Sequence, residues 1–265
     1  MSVDGFIEET RSLGGIERSV FFRRNNGPGV VVLHEVPGIT PEVARLARII
    51  SDAGYTTAMP SFFGVPGKPF DMEYAGDEVF RLCVNREFNI FAANGSSPVV
   101  DWIRRFCVAF HGETESPQGV GVVGICLTGS FALAATIGSN GVVQAPVVSE
   151  PAAPLPLPFT QFASGVNLSL EEQQSIAQED VPAVALRFTN DSLCRRERFN
   201  SFEKLLGPNR FERIEIESPN AAFNIPGDAH SVLTFELREN DPNHPTRKAL
   251  DEVIAFLDRR LRGRE

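Results

Sequence analysis

The sequence is poor in several features that define whole classes of proteins. Its 265 residues carry 25 Lys and Arg against 34 Asp and Glu, a formal net charge of −9. Phosphate binding needs clustered basic residues, so this acidic chain is not expected to bind nucleic acid. No run approaches the roughly 18 apolar residues of a membrane span. The opening MSVDGFIEETRSLGG lacks the apolar centre of a secretory signal.

Cysteine is also scarce, with four residues at Cys83, Cys107, Cys126 and Cys194 and no C-x-x-C pair. Zinc sites and redox motifs usually carry such pairs, so we expect no metal and no cofactor. Without an export signal, reduced thiols in the cytoplasm are the default, because disulfides form mainly in oxidising compartments. We therefore expect a cytoplasmic protein that meets neither membrane nor nucleic acid.

Short apolar runs alternate along the chain with helical patterns. Hydrophobic residues make up 42% of the sequence, which is enough for a sizeable core. The predicted strands are 29–33, 55–59, 119–123, 141–148, 183–188 and 211–216, and the predicted helices are 40–53, 99–110, 130–137 and 246–261. Such alternation predicts one α/β domain over residues 1–265, with a mainly parallel central sheet and helices on both faces.

The segment GICLTG, residues 124–129, lies at a predicted strand-to-helix junction. A nucleophile elbow needs this context, because a sharp turn presents the nucleophile to the N-terminus of the next helix. The helix dipole and free amides there favour a thiolate and a developing oxyanion. Cys126 is therefore the candidate nucleophile. The alternative is that Cys126 is a small buried residue, as most free cysteines are.

A nucleophilic cysteine needs a base and an acid that orients the base. In α/β-hydrolases the chain order is nucleophile, acid, histidine, which excludes His34 and His111 as the base. His230 follows the polar loop PGDA and is favoured over His244, which precedes the last predicted helix as part of a turn. Asp191 is the first carboxylate after the strand 183–188 and is the predicted acid, although a turn aspartate would look the same.

The loop HEVPG follows the first predicted parallel strand. The second amide of an oxyanion hole comes from this position in such folds, which predicts Val36 as the partner of the Leu127 amide. Glu35 stands beside the same site. It either holds or takes the thiol proton of Cys126, or it is a loop carboxylate bonded to nearby backbone.

Two further residues are candidates for substrate contact. Phe63, with Phe62 and Phe70, follows a strand end and either lines a pocket or packs in the core. Arg81 is either an anion clamp or a surface arginine. The proline-rich segment PAAPLPLPF, residues 151–159, is predicted to be a flap or a surface loop, and Phe159 and Phe162 are candidates to belong to it.

The pieces HEVPG, AGYTTAMPSFFG and GICLTGSFALA, with the segments around Asp191 and His230, resemble the dienelactone hydrolase family. The likeness extends from about residue 20 to residue 260. It implies an α/β-hydrolase fold and a Cys126–Asp191–His230 triad. It also implies that Glu35 controls the thiol, which points towards this glutamate until substrate binding moves the glutamate and a thiolate forms. Members of the family open small unsaturated lactones through a thioester.

The chain departs from this pattern at two informative positions. Thr128 stands where the elbow of the family has glycine. Thr234 stands one helical turn after His230, where the family carries an arginine that grips the substrate carboxylate. Both departures leave the hydrolytic residues in place and concern the shape and specificity of the site.

We therefore predict a monomeric hydrolase of a small ester or lactone. A non-catalytic or regulatory protein that binds a ligand on the same fold is the alternative from another class. A glutamine amidotransferase also carries a cysteine elbow, but its histidine and glutamate lie two residues apart, and here Val232 follows His230 at that spacing.

Overall fold

The computed structural model describes residues 3–84, 97–114, 116–152 and 165–264, and these residues build an eight-stranded sheet. The strands are β1 Ile7–Leu13, β2 Ile16–Arg23, β3 Gly29–Leu33, β4 Thr56–Pro60, β5 Val120–Ile125, β6 Val143–Ser149, β7 Ala183–Phe188 and β8 Phe211–Ile216. Their order across the sheet is β1-β2-β4-β3-β5-β6-β7-β8. The first two strands pair antiparallel and β2 pairs antiparallel with β4, while all other pairs are parallel.

Helices follow most of the parallel strands. They are α1 Pro41–Asp52, α2 Met72–Val84, α3 Pro98–His111, α4 Gly129–Ala134, α5 Leu170–Gln178, α6 Arg196–Leu206 and α7 Pro245–Arg262. Thr40 caps α1 by accepting a hydrogen bond from the Val43 amide, and Pro41 occupies the first turn, as the sequence predicts. Within the described ranges, no helix combines the length and the apolar character needed to cross a bilayer.

The two faces of the sheet each carry a hydrophobic core. Along β3, Val30 and Val32 contribute to the core under α1 and α7, while Val31 and Leu33 contribute to the core under α3. Successive side chains of a strand point to opposite faces, so a strand that is apolar throughout is covered on both sides. The predicted fold, a mainly parallel sheet between two layers of helices, is therefore the one that forms.

The N-terminal hairpin of β1 and β2 was not predicted from the sequence. Gly14 and Gly15 form its turn with φ values of +61° and +83°, a conformation that favours glycine and suits a two-residue hairpin. The strand β1 is polar and half exposed, because it lies at the edge of the sheet and three of its seven residues, Glu8, Glu9 and Arg11, are charged. A polar edge strand lacks the apolar run that identifies a buried strand.

Three helices were also missed, and one predicted helix is shorter than expected. The polar helix α5 buries only Glu172 and Ile176 among its nine residues, which explains the weak sequence signal. Neither α2 nor α6 was predicted, and α4 ends at Ala134 instead of residue 137. Residues 153–164 lie outside the described ranges. They include the proline-rich segment except for its first two residues, and also Phe159 and Phe162.

Candidate active site

The predicted elbow forms directly after β5. Cys126 opens a single 3-10 turn, Cys126–Thr128, that leads into α4. Its φ of +53° lies in the left-handed region, which is strained for a residue with a side chain and recurs at functional sites. The turn is tight enough that a Cβ on Gly124 would lie 2.3 Å from the Thr128 carbonyl oxygen. Glycine at this position is therefore required by the close approach of the backbone.

Thr128, the departure from the family's glycine, has a structural role in this elbow. Its side chain is fully buried, and Oγ1 accepts a hydrogen bond from the Ile125 amide at 3.0 Å. The hydroxyl also lies 3.0 Å from the carbonyl oxygens of Leu33 and Ile125, which share its single proton. The hydroxyl thus connects the elbow to the end of β3.

Asp191 and His230 come together from two loops at the carboxyl edge of the sheet. The His230 Nδ1 atom lies 2.7 Å from Asp191 Oδ2. The other oxygen, Oδ1, accepts hydrogen bonds from the amides of Leu193 and Cys194 at 2.8 and 3.0 Å, so the buried carboxylate is fixed on both sides. An ionised acceptor at Nδ1 holds the ring proton there, which leaves Nε2 to exchange a proton with a reacting group.

The environment of His230 favours the charged imidazolium. Burial of the ring opposes charge, yet its pKa is raised well above the ordinary value, because Cys126 and Asp191 both stabilise the protonated ring. Nε2 is buried and forms no hydrogen bond of normal geometry with the described residues. Cys126 itself is half-buried. Cys126 is therefore one of the groups that act on the His230 ring.

Glu35 lies at the end of β3 and is bonded to the His230 loop. Its Oε2 accepts a hydrogen bond from Ser231 Oγ at 2.7 Å, and its Oε1 accepts one from Thr234 Oγ1 at 2.5 Å. Burial raises the pKa of this carboxyl group. Thr234, where the family carries arginine, therefore holds Glu35. In the described part of the chain, no hydrogen bond joins Glu35 to Cys126.

The amides of Val36 and Leu127 remain available for an oxyanion. Neither donates a hydrogen bond to another described residue. The loop that carries Val36 is held by His34, whose Nε2 accepts from the Phe62 amide at 3.0 Å and whose Nδ1 lies 3.0 Å from the Glu35 carbonyl oxygen. This bonding fixes His34 as the neutral ring protonated at Nδ1. Burial lowers the pKa of His34 to about 4.

Two ionisable residues of this region were not predicted from the sequence. Glu150 follows β6 and is completely buried, with its carboxyl group near His230 and Glu35. The sequence contains a pattern that indicates Glu150, because a carboxylate directly after an apolar parallel strand lies at the carboxyl edge of the sheet, where active sites of such folds are found.

Arg198 of α6 is the second residue that was missed. Its buried guanidinium donates to the carbonyl oxygens of Pro151 and Ala152 at 2.5 and 3.3 Å and to that of Gly165. It also donates to Ser130 Oγ at 3.2 Å and to the side chain of Asn167. Burial lowers its pKa to about 10, while the thiols of Cys194 and Cys126 act in the opposite direction. Arg198 thus places a positive charge near the elbow. No motif in the sequence indicates this position of Arg198.

Of the two predicted substrate contacts, one lies beside these loops. Phe63 is partly buried, and its ring packs edge-on against His34 with centroids 4.4 Å apart. Arg81 instead lies on α2 with 72% of its side chain exposed and an ion pair to Glu78 at 3.1 Å. No described contact joins Arg81 to Cys126 or His230. Nor do any three His, Cys, Asp or Glu side chains in the described ranges group as metal ligands would.

Comparison with known proteins gives this geometry a family. The chain matches the model of the dienelactone hydrolase family over residues 18–218. No curated protein sequence matches the chain.

Solved structures share the fold at low sequence identity. A protein from Klebsiella pneumoniae assigned as a dienelactone hydrolase aligns with a TM-score of 0.61 and 14% identity, covering 96% of this chain and 98% of its own. Esterase 2 from Thermogutta terrifontis, phosphoramylated by tabun, aligns with a TM-score of 0.61 and 13% identity over 97% and 95% of the two chains. A cold-adapted esterase from an Arctic intertidal metagenomic library aligns with a TM-score of 0.57 and 13% identity, covering 98% of this chain and 97% of its own. The family match extends over three quarters of the sequence, so this chain belongs to the dienelactone hydrolase family and is a hydrolase of carboxylic esters.

Proposed function

We propose that the protein hydrolyses a small ester or lactone with a Cys126–His230–Asp191 triad, through a thioester acyl-enzyme. The observation that carries this proposal is the 2.7 Å contact between His230 Nδ1 and Asp191 Oδ2, with the strained Cys126 interacting with the same ring. Nucleophile, base and orienting acid in this relation form the general pattern of covalent acyl transfer.

In the first half-reaction, Cys126 gives its proton to His230 Nε2 and the thiolate attacks the ester carbonyl carbon. The carbonyl oxygen becomes an oxyanion, which the free amides of Val36 and Leu127 are available to stabilise. When the tetrahedral intermediate collapses, the bond from carbon to the leaving oxygen breaks, and the imidazolium protonates that oxygen. With a lactone, the released hydroxyl group stays attached to the acyl chain.

In the second half-reaction, neutral His230 removes a proton from water as the water attacks the thioester carbonyl. A second oxyanion forms in the same place, and its collapse releases the carboxylic acid and the Cys126 sulfur. Asp191 keeps the ring oriented and stabilises its positive charge throughout. We also assign Glu35 to the control of the thiol proton, because its buried carboxyl group is bonded to the His230 loop and burial raises its pKa.

The direct test compares hydrolysis of p-nitrophenyl acetate and of a small unsaturated lactone by the wild type and by Cys126→Ala. We expect turnover by the wild type and its loss in the variant, together with acylated Cys126 in the mass spectrum of the quenched wild-type reaction. Full turnover by folded Cys126→Ala would contradict the proposal. Binding without turnover and without thiol labelling in the wild type would favour the ligand-binding alternative.

A second cysteine provides the matched control. Cys107 is fully buried in α3, and burial raises its pKa to about 12, so its thiol is inert at neutral pH. Cys107→Ala should keep the activity, and iodoacetamide should label Cys126 in this variant at the wild-type rate. The ratio of lactone to ester rates then indicates which substrate class the site prefers.

A further inference from the structure

Glu150 occupies an unusual position beside the proposed triad. It follows β6 at the carboxyl edge of the sheet, and its amide donates to the Leu186 carbonyl oxygen at 2.8 Å. Its φ of +31° is positive, which is unfavourable for a residue with a side chain. Strain at a completely buried carboxylate indicates that the fold maintains this side chain in place at some cost.

The Glu150 carboxyl group connects β6 to the His230 loop. Oε2 accepts hydrogen bonds from Ser149 Oγ at 2.6 Å and from the Val232 amide at 3.3 Å, two residues beyond His230. Oε1 is buried and has no hydrogen-bond partner among the described residues. On the other side, Glu35 holds Ser231 and Thr234. The segment 230–234 is thus hydrogen-bonded to two buried carboxyl groups, those of Glu35 and Glu150.

We propose that Glu150 is a positioning residue of the active site, which anchors the His230 loop through the Val232 amide and stabilises the protonated His230 ring when ionised. The inference rests on the proposed function for the role of His230. It adds a second acid that acts on the base without touching the substrate.

The charges around Glu150 explain why its ionisation matters. The titratable groups that interact with it are His230, Glu35 and the Cys194 thiol. Burial raises the Glu150 pKa to about 8, against the effect of His230, and Glu35 raises it further. The pKa of His230 is raised as well, and because the two groups interact, the protonation of each affects that of the other.

The test follows the His230 ring by NMR during a pH titration, because this measurement needs no turnover. Glu150→Gln keeps an acceptor for Val232 but removes the negative charge that favours the imidazolium. We therefore expect the His230 midpoint to move to lower pH by about one unit. The matched control is Glu172→Gln, which changes a buried carboxyl group of α5 that is paired with Arg104. An unchanged midpoint in Glu150→Gln would overturn the electrostatic role.

Kinetics with p-nitrophenyl acetate test the anchoring role. Glu150→Ala removes the acceptor of Val232, so kcat should fall about 100-fold through misplacement of His230, with KM within about threefold. Glu150→Gln should restore kcat to within about fivefold of wild type. Equal kcat in wild type and Glu150→Ala would reject the anchoring role. A wild type without turnover would reject the proposed function, while the NMR midpoint would still decide on Glu150.

Discussion

Two neighbouring loops at the carboxyl edge of the sheet each carry a histidine, one completely buried and one partly buried, and the pKa values of the two rings shift in opposite directions. In the loop after β3, burial lowers the pKa of His34 to about 4. In the loop after β8, the pKa of His230 is raised despite burial, because Cys126 and Asp191 favour the charged ring. Desolvation lowers the pKa of both rings, so the neighbouring charges determine which of the two histidines favours its protonated form.

The largest effect is expected from removing the charge that distinguishes the two loops. Asp191→Asn retains an oxygen for the amides of Leu193 and Cys194 but places an amide group against His230 Nδ1. The ring would then adopt the wrong tautomer, and kcat/KM should fall about 10⁴-fold with little loss of stability. Steady-state ester hydrolysis measures this. The control Asp228→Asn, which changes an exposed aspartate of the His230 loop, should stay within about twofold of wild type.

The His34 loop should make the protein sensitive to acid. The folded-state pKa of about 4 lies below the ordinary 6.5, so the unfolded chain binds the proton first and stability falls as the pH drops from 6.5 to 4. His34→Gln removes this term. When the pH is lowered from 7 to 4.5, the free energy of unfolding of His34→Gln should therefore rise by about 2.5 kcal/mol relative to that of the wild type. Urea unfolding at the two pH values measures it, and a difference independent of pH would contradict the expectation.

A smaller difference in the free energy of unfolding is expected between the loss of a hydrogen-bonded threonine hydroxyl and the loss of one that has no partner among the described residues. Thr234→Val removes the donor to Glu35 Oε1 and leaves a buried oxygen unpaired, which should cost about 1–2 kcal/mol of unfolding free energy. Thr57 in β4 is equally buried, but its Oγ1 has no partner among the described residues. Thr57→Val should therefore be neutral or slightly stabilising. Equal losses in the two variants, measured by urea unfolding, would show that Glu35 does not depend on Thr234.

The sequence was most informative where one strong local signal defined an element. The apolar strands β3, β5 and β7 and the capped helix α1 were predicted almost to the residue. The relation of Cys126, Asp191 and His230 followed from chain order and from the rule that the carboxyl ends of parallel strands meet at one edge. Their roles in catalysis remain a prediction.

The residues that escaped prediction act through tertiary contacts. Glu150 and Arg198 bond to groups far away in the chain, such as Val232 and Gly165, so no local pattern identifies them. The same holds for Thr234, whose partner Glu35 is almost 200 residues away. Sequence spacing indicates which element carries a side chain, whereas the partner across the fold decides what that side chain does.

The hydroxyl of Thr128 has a consequence for the proposed oxyanion hole. It joins the elbow to the Leu33 carbonyl at the end of β3, and Val36 follows that strand by three residues. The amides of Val36 and Leu127 thus belong to one hydrogen-bonded frame, whose dimensions are set when the chain folds. In the proposed mechanism a substrate would meet these dipoles already oriented, so that little of its binding energy would be used to assemble them.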